Sequence, residues 1–322
     1  MDNRVSLFSF DRTGSTMLKG AAILLVLLGH AGIVRMGGAG GVALFLILSG
    51  YGLNSSCESR GLKGYWRKRI RKVWLPYFFV GLLDVFVLKV RGAGAVLCTL
   101  LGLDLGLIAD LTMWYISYIF YWYLAYYLAS RMTGKCPGEN RRRLLLTGAL
   151  LLASVLGVFL GRLGFWHRGS LSTAYCICFP LGVMMSCLRE FKVSRAARTG
   201  FWALVLLGCS AYLCLPYFSI PDLTYFTALS MAGAAIAVFQ LLPIRGLPEK
   251  LLLLAGAYSF PIYLFEGLFR LCLPGWRQSM GFWMADLAFL AASIAAGALY
   301  WTLYRAAEKR ITARTTNTEN KT

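Results

Sequence analysis

Long apolar runs recur along the whole chain, and they constrain its fold more than any other feature. Of the 322 residues, 58% are hydrophobic, which is more than a soluble globular domain usually contains. A run of about 18 apolar residues is long enough to cross the hydrocarbon core of a bilayer as a helix. The pattern therefore predicts one all-α integral membrane domain with about ten transmembrane helices.

The ten predicted spans are 16–35, 40–56, 73–91, 113–131, 144–162, 172–189, 200–217, 223–243, 252–272 and 283–304. The segment 92–111 is also apolar, but its aspartates and glycines favour a re-entrant or interfacial segment. We expect a single transmembrane domain over 1–311, a disordered cytoplasmic tail over 312–322 and no extra soluble domain.

The distribution of positive charge predicts the orientation of these spans. With ten spans, 26 of the 33 Lys and Arg residues lie on the side of the termini and seven on the other side. Because cytoplasmic loops carry the excess of basic residues, both termini are predicted to be cytoplasmic. The same rule explains most of the net charge of +19, and no basic-aromatic module indicates nucleic acid as a partner. The nine cysteines have no metal-ligand spacing, so we expect no metal.

Two ionisable residues, Lys19 and His30, interrupt the apolar first span. They are eleven residues apart, which returns them to one face of a helix, about 16 Å apart along its axis. Lys19 is either an interfacial anchor or a binding group, because a long basic side chain can reach the interface from a helix start. His30 lies too deep for that. It is either a structural hydrogen-bonding group or a chemical group, since imidazole titrates near neutral pH.

A basic segment, 62–74, follows the second span and has the pattern of an interfacial amphipathic helix. Most of its positive charges fall on the flanks and back of an apolar face. Arg69 is the exception, because at about 100° per residue it lies inside the apolar face, with Lys72 at the border. An arginine turned toward the protein needs an anionic partner, and a phosphate-bearing ligand would supply one.

Glu266 is an intramembrane carboxylate in the predicted ninth span. Three roles suit it: orienting His30, binding the hydroxyls of an acceptor, or pairing with Arg270 four residues on. Asp84, on the third span, is a similar but weaker candidate.

Two further features have both a structural and a functional interpretation. Trp114 opens a dense aromatic run, which suits stacking on sugars or, more simply, an interface belt or packed core. The glycine-rich segment 37–41 is best interpreted as a tight turn between spans.

Taken in order, these features resemble the acyltransferase 3 family of multi-span membrane O-acyltransferases. That family opens with an Arg eleven residues before an intramembrane His, where this chain has Lys19 and His30. A Phe-x-x-x-Ser-Gly tract follows, here 45–50, and then a basic pair before a Pro-Tyr dipeptide, here within 69–72. The family's C-terminal Tyr-Ser-x-Tyr-Leu-x-His tract corresponds to 258–266, with Glu266 in place of the His. Lys19 and Lys72 stand where the family usually has arginine.

The resemblance implies a bacterial-type plasma-membrane enzyme, an acyltransferase that transfers groups other than aminoacyl groups. Its donor would be acetyl-CoA or another acyl-CoA, taken from the cytoplasm. Its acceptor would be a hydroxyl of a carbohydrate or cell-envelope glycan. Membrane lipid and that glycan are the expected partners, and the chain would be a stand-alone form of the family.

Site roles follow from the same resemblance. His30 is the candidate general base, or the group that first takes the acyl group itself, with Glu266 as the second catalytic residue. The residues expected to bind the donor are Lys19, Arg69 and Lys72. Substrate-binding or supporting roles are expected for Ser49, Gly50, Trp114 and Tyr263. Ser49 and Gly50 would act from the end of the second span. The purely structural interpretation of Ser49 is a turn that ends the helix.

Two other functions suit the same features. A transporter or flippase for a small polar or lipid-linked substrate would also use broken apolar segments and buried ionisable groups. Such proteins often show two matching halves, which this sequence does not. A catalytically inactive relative, acting as a membrane partner, would account for the two lysine replacements.

Overall fold

A computed structural model describes residues 4–164, 173–215 and 224–319. Most of the described chain is helical. Its elements are β1 Arg4–Ser6, α1 Arg12–His30, α2 Gly37–Arg60, α3 Tyr65–Arg69, α4 Leu75–Val87, α5 Ala93–Leu101, α6 Trp114–Thr133, α7 Glu139–Arg162, α8 Cys178–Cys187, β2 Lys192–Ser194, α9 Arg195–Cys214, α10 Thr224–Leu241, α11 Leu247–Ala257, α12 Ser259–Met280 and α13 Phe282–Glu319. A π-helical turn, Ile70–Trp74, joins α3 to α4, and a 3₁₀ turn, Leu111–Met113, precedes α6.

Within the described residues, five helices are long and apolar enough to cross a membrane: α1, α2, α7, α9 and α13. A sixth crossing is added if α11 and α12, which meet at a bend of 73°, form one broken span. This is an all-α membrane-type fold, but the ten predicted spans are not confirmed. The third and sixth of them correspond to α4 and α8, which have only 13 and 10 residues.

The outer surface of the helices is apolar, as expected of a protein surrounded by lipid. Large hydrophobic side chains such as Phe86, Leu152 and Leu204 are mostly exposed. The nine-residue helix α5 is about 13 Å long, too short to cross a bilayer, in agreement with an interfacial or re-entrant segment at 92–111.

Glycines allow the central helices to pack with their backbones in contact. A Cβ atom at Gly20 of α1 would overlap the carbonyl oxygen of Leu252 on α11. One at Gly50 of α2 would overlap the carbonyl oxygen of Phe179 on α8. Small residues at such crossings are typical of membrane helices, which gain their stability from close packing.

The predicted continuous span 252–272 is broken, and this is a correction to the sequence interpretation. Helix α11 ends at Ala257, and α12 starts at Ser259 in a new direction. Pro261 lies in the first turn of α12, where its missing N–H costs no helical hydrogen bond. Further along, Pro274 lies inside α12.

The N-terminal segment crosses the end of the helix bundle. Strand β1 pairs antiparallel with β2, with Val5 opposite Val193. The indole of Trp202 donates a hydrogen bond of 3.1 Å to the carbonyl oxygen of Leu7. The N-terminus is thereby attached to the segment between α8 and α9. The disordered tail predicted for 312–322 stays a prediction: the backbone of α13 is helical as far as Glu319, and residues 320–322 lie outside the described chain.

Candidate active site

A cavity of about 540 Å³ lies between α1, α2, the π turn, α6, the α11–α12 break and α13. One end is basic and is lined by Arg12, Lys19, Arg71, Lys72 and Arg305. The other end is apolar and aromatic and includes Val26, Val42, Phe45, Tyr115 and Tyr263. A ligand with an anionic head and an uncharged arm matches this division.

The basic end has more positive than negative charge. Arg71 forms an ion pair of 2.8 Å with Glu308, which is the only carboxylate among the described lining residues. Within the described chain, Arg12, Lys19, Lys72 and Arg305 form no ion pair. Four such cations around one cavity attract and hold anions such as phosphate.

His30 and Glu266, which are 236 positions apart in sequence, are in direct contact. His30 is the last residue of α1, and its Nδ1 lies 2.7 Å from Oε2 of Glu266 in α12. The glutamate side chain is completely buried, whereas that of His30 is 23% exposed. Nδ1 faces the carboxylate, and Nε2 has no hydrogen-bond partner within the described chain. Of the three roles suggested for Glu266, the geometry matches orientation of His30.

The glycines at 37–41 are the first turns of α2, which corrects their interpretation as a tight turn. Gly29 makes this possible, because a Cβ atom there would overlap the backbone nitrogen of Gly38. Helix α2 starts after Met36, which has a φ of 60° and provides no side-chain cap. A Cβ atom at Gly38 would lie 3.4 Å from Nε2 of His30, so this glycine leaves room beside the free ring nitrogen.

The cavity ends one helical turn short of the histidine–glutamate pair. Val26 and Tyr263 line it, whereas His30 and Glu266, four and three residues further on, do not. The ring of Tyr263 packs on Tyr115 at 5.6 Å, and its hydroxyl donates a 2.8 Å hydrogen bond to the carbonyl oxygen of Thr112. These two tyrosines form part of the cavity wall, and the histidine–glutamate pair lies outside the lining.

Arg69 lies behind the cavity rather than in it. Its guanidinium packs at 5.3 Å from the ring centre of Tyr65 and 5.1 Å from that of Tyr123. Its Nε is buried without a hydrogen-bond partner in the described chain. Burial raises the pKa of Tyr65, whose neutral hydroxyl donates to the carbonyl oxygen of Tyr123 at 2.7 Å. Arg69 therefore supports Tyr123, which does line the cavity.

The reason for this placement is the π turn, which corrects the single amphipathic helix predicted for 62–74. An α-helix ends at Arg69, and the wider π-helical hydrogen bonding of Ile70–Trp74 turns the following residues by less than 100° each. As a result Arg71, predicted on the outer flank, and Lys72 both reach the cavity.

The remaining predicted site residues are spread over the cavity wall and the bundle. Ser49 lines the cavity, but α2 does not end there, since it continues to Arg60. Gly50 faces α8 in the backbone contact described above. Trp114 stacks on Tyr175 with ring centres 5.6 Å apart and is not among the lining residues.

Two carboxylates lie deeper in the protein. Asp84 on α4 is buried, and neither carboxylate oxygen has a hydrogen-bond partner in the described chain. Asp110 was not singled out from the sequence. Its carboxylate accepts two bonds of 2.8 Å from Thr112 and occupies the space that a Cβ atom at Gly267 would take. No group of three or more potential ligands for a metal occurs among the described residues.

Sequence reasoning also missed the C-terminal part of α13. Trp301, Tyr304 and Arg305 line the basic end of the cavity. Their only sequence signal is an aromatic-basic cluster at the end of a span, which interfacial anchoring explains equally well.

Fold and site together define a membrane-type protein with a histidine–glutamate pair one helical turn beyond a cavity that has a basic end. The chain belongs to the acyltransferase 3 family, because the family model described as an acyltransferase domain matches residues 13–305. The match runs from α1 into α13 and includes His30, Glu266 and every cavity-lining residue except Arg12 and Glu308, which lie just outside it. No curated protein sequence and no solved structure gives a match to the chain.

Proposed function

We propose that this acyltransferase is a plasma-membrane O-acyltransferase that moves an acyl group, most simply acetyl, from cytoplasmic acyl-CoA to a hydroxyl group. A carbohydrate or cell-envelope glycan is the proposed acceptor. The observation that carries the proposal is the 2.7 Å contact between His30 and Glu266, one turn beyond a cavity with a cationic mouth.

The donor enters from the basic end of the cavity. Lys19 and Lys72, with Arg12 and Arg305 beside them, bind the phosphates of coenzyme A. The pantetheine arm extends along α1 toward Val26, and the rise from Lys19 to His30 is about 16 Å. Arg69 contributes indirectly, by holding Tyr123 in the cavity wall.

His30 supplies the acid–base chemistry. Glu266 fixes the orientation of the imidazole ring. Nε2 then takes the proton of the acceptor hydroxyl while the hydroxyl oxygen attacks the carbonyl carbon of the thioester. The C–O bond forms, the tetrahedral oxyanion collapses, the C–S bond breaks, and the imidazolium returns the proton to the thiolate. In the alternative route Nε2 attacks the thioester first, so that an acyl-imidazole forms and the thiolate leaves. The acceptor hydroxyl then displaces the imidazole, and its proton goes to the thiolate. The overall reactants and products are the same as in the direct route.

Two parts of the site complete this mechanism. The N-terminus of α2, which has no side-chain cap, lies beside Nε2, where the positive end of the helix dipole stabilises the oxyanion. The wall formed by Tyr115 and Tyr263 moves when the donor binds, so that the acyl group reaches the histidine.

The test is transfer of labelled acetyl from acetyl-CoA into carbohydrate by membranes that contain the protein. We expect His30→Ala to lower the transfer by a factor of about 10² to 10⁴, and Glu266→Gln to lower it less. Glu249→Gln, in the first turn of α11 and outside the cavity lining, serves as the charge-matched control. Uptake of a solute without any acylated product would support a transporter instead. Absence of label in product from the unmodified protein would support an inactive relative.

A further inference from the structure

The cytoplasmic end of α13 places two aromatic rings at the basic mouth of the cavity. Trp301 and Tyr304 are nearly parallel, at 8°, with ring centres 5.6 Å apart. The guanidinium of Arg305 lies over the Trp301 ring, 4.9 Å from its centre. A planar cationic group therefore already stacks on this surface.

These rings are held in place from the cavity side. The hydroxyl of Tyr304 donates a 3.1 Å hydrogen bond to the carbonyl oxygen of Arg71 in the π turn. One turn earlier, Tyr300 donates a 2.7 Å bond to the carbonyl oxygen of Pro76. An aromatic belt in lipid would not need to be anchored to the residues that carry the cavity's positive charge.

From this arrangement we infer that Trp301 and Tyr304 form a stacking platform for the purine base of a nucleotide-bearing donor. The inference rests on the proposed function, because it assigns the nucleotide end of the proposed acyl-CoA. Every nucleobase has a planar face that stacks on aromatic side chains, and such stacking strengthens binding substantially. The neighbouring Lys72, which lines the cavity and forms no ion pair within the described chain, is placed to bind the phosphates attached to such a base.

The test separates the two halves of coenzyme A. Protein in lipid nanodiscs is titrated with adenosine bisphosphate, the half with adenine, and with phosphopantetheine, the half without it. We expect Trp301→Ala to weaken adenosine bisphosphate binding by about 5- to 100-fold and to leave phosphopantetheine binding within twofold. Trp301→Phe, which keeps a ring, retains most of the affinity.

The control is Trp283→Ala, at the opposite end of the same helix, where the indole is 76% exposed and lines no described cavity. The inference is overturned if Trp301→Ala binds adenosine bisphosphate as the unmodified protein does, or if it loses both ligands equally. In those cases continued acyl transfer from acetyl-CoA leaves the proposed function intact. An unmodified protein that binds neither half and transfers no acyl group overturns both.

Discussion

At the scale of single residues, the free nitrogen of His30 depends on two glycines. Gly29 lets the start of α2 approach α1, and Gly38 leaves an open space beside Nε2. Glycine is expensive in a helix, by about 1 kcal/mol relative to alanine, so its presence at both positions indicates a need for space.

Gly38→Ala tests whether that space is used. The added methyl group would lie 3.4 Å from Nε2, which is an ordinary van der Waals contact, so the fold should accept it. We expect acyl transfer to fall at least about tenfold, because the methyl group blocks approach to the reacting nitrogen. The melting temperature should stay the same or rise slightly, since alanine favours a helix.

Gly52→Ala is the matched control, since a Cβ atom at this position of the same helix would have no neighbour within 4 Å. It should change neither activity nor stability by much. Full activity in Gly38→Ala would contradict the placement of the acyl group at Nε2.

The sequence predicts the individual site residues better than their contacts. His30 and Glu266 are recognisable because ionisable groups are costly within a membrane span and are kept for a purpose. Their pairing is not recognisable, because it depends on how α1 packs against α12. For the same reason, glycines 37–41 suggest a turn in the sequence but form a helix in the structure, where close packing outweighs low helix propensity.

At the scale of elements, the π turn decides which basic residues face the cavity. A projection with constant rotation per residue places Arg69 inward and Arg71 outward. The structure puts Arg71 and Lys72 at the cavity and Arg69 behind it, because five residues from Ile70 to Trp74 follow π-helical hydrogen bonding. A single π turn leaves little trace in composition, so sequence periodicity does not reveal it.

Lys72→Gln and Arg67→Gln provide a charge-matched test of this element. Lys72 lines the cavity, whereas Arg67, five residues earlier, is exposed and does not. We expect Lys72→Gln to raise the dissociation constant for adenosine bisphosphate by about tenfold, the effect of losing one charge-assisted hydrogen bond. Arg67→Gln should change it by less than twofold, and the difference should shrink at high salt.

Equal weakening by the two substitutions would mean that the basic segment acts only through its overall charge. In that case the faces assigned by the π turn would have no role in donor binding.

At the scale of the whole molecule, contacts between distant segments restrict how the chain crosses the membrane. Two groups in contact at a membrane face must be separated by an even number of crossings. The paired strands β1 and β2 are separated along the chain by six predicted spans, which are α1, α2, α4, α6, α7 and α8. Arg71 and Glu308, which form an ion pair, are separated along the chain by eight predicted spans if α11 and α12 count as one span.

A contact at the opposite end follows the same rule. Arg277 donates a 2.7 Å hydrogen bond to the carbonyl oxygen of Ala31 and pairs with Asp286. This joins the end of α1 to the junction of α12 and α13, with an even number of predicted spans between them. The contacts fit the predicted order of crossings, although only five or six of the described crossings are long and apolar enough to be identified from length and hydropathy.

Helix α8 is the critical case, because its ten residues span only about 15 Å. Cys136 precedes α7, and Cys214 ends α9, so α7, α8 and α9 lie between the two thiols. If all three cross, the thiols lie on opposite faces; if α8 does not cross, they lie on the same face.

Variants that keep one of these cysteines are treated with a membrane-impermeant maleimide, in right-side-out and inside-out vesicles. We expect Cys136 to react only from the cytoplasmic face and Cys214 only from the outer face, while Cys178, which is fully buried, reacts from neither. Reaction of Cys136 and Cys214 from the same face would remove α8 from the spans and leave an odd number of crossings between the paired strands β1 and β2.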